Sequence, residues 1–60
     1  DVPALRRRVL RGWLVERGAR EPTYAHVLAV DELITAWRGQ KWVDVPGVRV
    51  ARRANRLGVL

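Results

Sequence analysis

Apolar and polar positions along the 60 residues follow a helical period twice and then a period of two, and three regions follow from that. In VPALRRRVLRGWLVER the apolar residues recur at helical spacing. With about 100° per residue, Leu5, Val9, Leu10, Trp13 and Leu14 occupy one half of the wheel, and Arg7, Arg8 and Arg11 gather on the other. Pro3 fits a first helical turn, where a missing N–H costs nothing, and Asp1 is placed to cap, so a helix over Pro3–Arg17 is predicted, stopping at Gly18. Glu21-Pro22-Thr23 reads as a turn whose Thr23 caps a second helix, which runs to Gly39 as its terminating glycine. Val27, Val30, Leu33, Ile34 and Trp37 form its apolar face, so the two helices make a hairpin with facing stripes.

After Gln40 the period becomes two. Val43 and Val45 alternate with Trp42 and Asp44, and Val48 and Val50 alternate with Arg49 and Ala51, the pattern of half-buried strands. Pro46-Gly47 suits the two central positions of a type II turn, Asn55 tolerates the left-handed conformation of a second bend, and Leu57–Leu60 is a third strand. The architecture predicted is α+β: a two-helix hairpin packed on a small antiparallel β-meander of two to three strands, one unit over residues 1–60.

A chain this short buries only about 60% of the surface that its unfolded form exposes, so it leans on a neighbour. It has no cysteine for a disulfide or a thiolate zinc site, and the redox compartment stays open. No apolar run approaches the length of a membrane span, and the chain opens on Asp1 with no signal pattern, so it reads as a piece of a larger soluble protein.

Charge adds the functional clue. The formal net charge is +6, and Lys41 is the only lysine among 12 basic residues. Arginine forms planar bidentate pairs with phosphate, so nucleic acid is the leading partner, although GC-rich codon usage also produces arginine on a merely solvated surface. Two clusters stand out. Arg7, Arg8 and Arg11 share the outer side of the first helix, Arg7 and Arg11 as a like-charge pair four apart that does not serve helix stability. Arg49, Arg52, Arg53 and Arg56 crowd the last bend, where charge also protects a sheet edge. Arg6 and Arg17 point toward the apolar half, to lay aliphatic stems over the core edge or pair with acids such as Glu21 or Asp31. Trp13 and Trp37 read as core, and Trp42, beside Lys41 on the strand face opposite Val43 and Val45, is the one for which exposure and base stacking stay open.

Catalytic chemistry is lacking. There is no cysteine nucleophile, no partner set for a triad around His26, which reads as a packing or capping residue, and no glycine-rich phosphate loop. Asp31 and Glu32 are adjacent and face different ways on a helix, against a shared acid–base or metal role.

LRRRVLRGWL, PTYAHVLAVDELI, WRGQ and VDVPGVRVARR ending in RLGVL, in that order, resemble the region that follows the N-terminal PP-loop ATPase domain in bacterial tRNA(Ile)-lysidine synthases. The resemblance implies a tRNA-positioning subdomain of a cytoplasmic ligase that uses ATP and magnesium to join lysine to the wobble cytidine of tRNA(Ile). The family's SGGxDS nucleotide loop has no counterpart here, so no ATP, magnesium, lysine or catalytic site is assigned to any residue of this segment. The positions it implies for tRNA backbone contact are Arg7, Arg8, Arg11, Arg52 and Arg53. Partners are then tRNA and the remainder of the parent enzyme, including its ATPase domain, with no membrane. The competing reading is a structural module that packs on its parent or a second subunit without touching RNA.

Overall fold

The computed structural model describes all 60 residues, in the order α1 (Val2–Glu16), α2 (Tyr24–Thr35), β1 (Val43–Val45), β2 (Val48–Arg53) and β3 (Arg56–Val59). The two helices form one layer and the antiparallel sheet β1-β2-β3 the other, which is the predicted α+β arrangement.

Local chemistry explains each boundary. Pro3 sits in the first turn of α1, and the Asp1 carbonyl, with no side-chain cap bond, accepts from Leu5 N–H at 3.0 Å. The helix ends where Gly18 takes φ +108°, Gly18 N–H donates to the Val15 carbonyl, and Ala19 N–H donates to the Leu14 carbonyl at 2.9 Å. This is a Schellman closure, and it satisfies carbonyls that would otherwise face the core. At the start of α2, Thr23 Oγ1 accepts from His26 N–H, and His26 Nδ1 accepts from Thr23 N–H at 3.0 Å. His26 thus fills the place of the acidic or amide side chain in a capping box.

Pro46-Gly47 joins β1 to β2 with Val45 opposite Val48, and Gly47 has φ +95°, the conformation the type II reading requires. Ala54 and Asn55, both at positive φ, make the second two-residue turn, with Arg53 opposite Arg56. Positive φ at both central residues is the geometry that matches strand twist. The turn region between the helices meets the first hairpin: Arg20 N–H donates to the Pro46 carbonyl at 2.7 Å, and a Cβ on Gly47 would collide with the Gly18 carbonyl oxygen.

The core consists of Leu10, Leu14, Ala19, Val27, Val30, Leu33, Val45 and Val50, with Trp13, Val43, Val48 and Leu57 packed at its edge. Both helices depart from the sequence expectations. The helix α2 stops at Thr35, and Gly39 lies in the following loop. Thr35 Oγ1 donates back to the Asp31 carbonyl, and Ala36 leaves the helical conformation at φ −145°. Consequently Trp37 is 50% exposed, outside the core. On α1 only the Leu10–Leu14 side of the apolar half-wheel is buried, whereas Leu5 and Val9 are exposed. The burial axis is turned toward Arg7 and Arg11, so these two are not purely outward as the wheel predicts.

Candidate nucleic-acid interface

The turn of α1 follows from one buried carboxylate. Asp31, on the inner side of α2, is 1% exposed. Its Oδ1 accepts from Arg6 Nε at 2.5 Å, and its Oδ2 accepts from Arg6 NH2 at 3.1 Å and from Arg7 Nε at 3.2 Å. A buried carboxylate needs such partners, and two cations on one helix can supply them only if that helix presents Arg6 and Arg7 on either side of Leu10. Hydrogen bonding from Arg6 holds the Asp31 carboxyl below its usual range, with the Arg7 bond adding to the effect and burial opposing it. Two guanidinium groups against one carboxylate leave a net positive charge.

That charge borders a cleft of about 490 Å³ lined by Asp1, Ala4, Arg7, Arg8, Arg11, Tyr24 and Val27. Arg7 NH1 donates to Tyr24 Oη at 2.9 Å, and its guanidinium lies 5.9 Å from the Tyr24 ring centroid. Arg11 NH1 donates to the Pro22 carbonyl at 2.5 Å. Arg8 is exposed and joins none of the ion pairs. The structure therefore brings Arg7, Arg8 and Arg11 to one cleft, with Asp1 the single carboxylate in its lining. Arg7 and Arg11 are braced by internal bonds that leave other guanidinium N–H groups unused, a rigid fork suited to phosphate oxygens. The pairing of Tyr24 with Arg7 is not signalled in the sequence, because the two lie 17 residues apart and no local spacing marks such a pair.

The second cluster divides by strand face. Arg52 points inward, donating from NH1 to the Leu33 carbonyl at 3.1 Å and from NH2 to Asn55 Oδ1 at 2.6 Å, with its guanidinium 4.8 Å from the Trp37 ring centroid. Arg49 pairs with Asp44 at 2.7 Å and covers the Trp42 ring at 4.4 Å, so Trp42 is exposed but already stacked on one side. Arg53 and Arg56 are exposed and face each other across the β2–β3 ladder. Like charges directly opposite destabilise a sheet, so this pair adds nothing to the stability of the ladder. Arg52 reaches the end of α2 opposite to Tyr24, about 14 Å away along the helix, so the two clusters are spatially separate. Arg17, the other core-edge arginine, packs its guanidinium 5.7 Å from the Trp13 ring centroid.

No group of three or more His, Cys, Asp or Glu side chains is arranged to hold a metal ion. The cleft, with three arginines and a single carboxylate in its lining, does not offer the oxygen donor set that magnesium needs.

A sequence profile described as the TilS substrate binding domain matches residues 2–58. The chain is 50% identical over 60 residues to a tRNA(Ile)-lysidine synthase of Nocardia farcinica, with 90% of this chain and 19% of the relative covered. It is 51% identical over 59 residues to the synthase of Salinispora tropica, covering 93% of this chain and 18% of the relative. With the synthase of Mycobacterium bovis the identity is 55% over 60 residues, covering 95% and 19%. The chain thus spans about a fifth of the length of these relatives. No solved structure matches it.

Proposed function

Because this chain belongs to the TilS substrate binding domain family, we propose that residues 1–60 act as one tRNA-positioning unit of a tRNA(Ile)-lysidine synthase. On this reading the parent enzyme works in the cytoplasm and uses ATP, magnesium and lysine to convert the wobble cytidine of tRNA(Ile) to lysidine. The chemistry belongs to residues outside this chain, and the segment contributes backbone contacts that fix the tRNA in register.

The observation that carries the proposal is the cleft where Arg7, Arg8 and Arg11 converge beside Tyr24 on a domain of net charge +6. Arg8 supplies an unpaired cation, Arg7 and Arg11 supply braced donors, and Arg53 with its cross-strand neighbour Arg56 supplies a second point of phosphate contact. Arg52 has a different part: bonded to Leu33 and Asn55 and stacked on Trp37, it braces the turn that presents Arg53.

A second reading, a packing module whose arginines do not touch RNA, draws support from the internal partners of Arg7, Arg49 and Arg52. Salt dependence of tRNA affinity separates the two. In the full-length enzyme, Arg8→Ala combined with Arg53→Ala weakens tRNA binding, and the slope of log affinity against log salt shrinks by roughly one unit for each phosphate that is no longer neutralised. An unchanged slope and affinity leaves the packing module as the explanation.

A further inference from the structure

The apolar half of α1 is twice as wide as the surface the domain covers. Leu10 and Leu14 enter the core, but the adjoining stripe is open: Val2 is 73% exposed, Leu5 58% and Val9 64%. These residues lie at helical spacing on one side of α1, with Glu16 in line at the far end and Trp13 at the boundary with the core. The cleft of Arg7, Arg8, Arg11 and Ala4 occupies the other side of the same helix.

We propose that the Val2–Leu5–Val9 stripe is an interface within the parent polypeptide, covered by an apolar surface of the chain outside these 60 residues. Contiguous exposed aliphatic residues at helical spacing mark an interaction surface, and a domain of this size gains most from such cover. The occupant follows from length and charge. About four-fifths of each relative lies outside the matched segment, so the same polypeptide supplies a partner at high effective concentration. A second copy fits less well: Arg6 and Arg17 flank one side of the stripe and Arg8 the other, and pairing two copies would appose these cations. RNA fits less well still, since the stripe itself contains no cation and its one charged residue is Glu16. The inference rests on family membership and burial, and it holds whether or not the arginine cleft binds tRNA.

The test uses the full-length protein, freed of other cysteines, carrying Val9→Cys or, separately, Leu5→Cys. Each introduced thiol is labelled with a maleimide in buffer without lipid or RNA, and the rate is compared with that of the same thiol in urea. Both variants are first shown to melt as the unsubstituted protein does. Cover by the parent chain slows native labelling on the order of a hundredfold relative to urea, independent of protein concentration. Labelling within about threefold of the urea rate at both positions overturns the proposal. It is equally overturned by protection that disappears on dilution, which assigns the stripe to a second copy. Protection that arises only when tRNA or anionic vesicles are added also overturns it.

Discussion

Replacing Asp31 with Asn is the sharpest probe of what sets the rotation of α1. The side chain is nearly isosteric, but one of its two acceptors becomes a donor, facing guanidinium N–H groups that have no use for it. Of the three bonds at Asp31, Asn retains the geometry for at most those made to one oxygen. A hydrogen bond to a charged group contributes about 1.5–3 kcal/mol, and removing one member of a buried ion pair costs about 3–5 kcal/mol when the other stays buried. Here the Arg6 and Arg7 side chains retain 32% and 30% exposure, so they can turn to water and part of that cost is recovered. The net loss is then about 2–3 kcal/mol, which for a domain of this size lowers Tm by roughly 10–20 °C. A pH arm isolates the charge. Asp31 has a folded-state pKa below its usual 3.8, so its contribution is complete above that value and is lost as pH falls through the lower folded value. Melting followed by the helical circular-dichroism signal should therefore show wild type and Asp31→Asn far apart at neutral pH and converging on acidification. A variant that melts within about 2 °C of wild type at pH 7 would refute the reasoning. So would a gap that stays constant into strong acid.

Three further outcomes concern the frame that carries the arginines. Gly47→Ala should cost at least about 2 kcal/mol, because φ +95° is strained for any L side chain and the new Cβ meets the Gly18 carbonyl; thermal melting reads it. Gly12→Ala, inside α1 with nothing near the added Cβ, should raise stability by about 0.5–1 kcal/mol in the same assay. Thr23→Ala removes the cap of α2 and should cost about 1 kcal/mol, seen as earlier fraying of Tyr24–Val27 amides in hydrogen exchange.

Features decided by a few neighbouring residues were legible in the sequence: the Thr23 cap, the Pro46-Gly47 turn and the alternation that turns Val43, Val45, Val48 and Val50 toward the helices. What the sequence could not resolve was which part of a wide apolar sector is covered. On α1 that choice was made by Asp31, more than 20 residues away, whose need for cations draws Arg6 and Arg7 inward and leaves Leu5 and Val9 outside. The Arg7–Tyr24 and Arg52–Trp37 contacts are illegible for the same reason, since each joins residues on different elements. The arginine cluster of α1 could be recognised from composition and spacing, but which of its members is braced and which is free requires the fold.

The approach of Gly47 to the Gly18 carbonyl, beside the bond from Arg20 to Pro46, has a kinetic meaning. The helical hairpin and the meander are each built from neighbours in the chain, and such local units assemble on microsecond timescales. The glycine contact joins segments nearly 30 residues apart, and it can close only after both units exist. Interactions formed after the transition state govern escape from the native state and leave the rate of reaching it nearly unchanged. Crowding this contact should therefore shorten the lifetime of the folded domain by a larger factor than it slows refolding, making the two glycines a latch on unfolding.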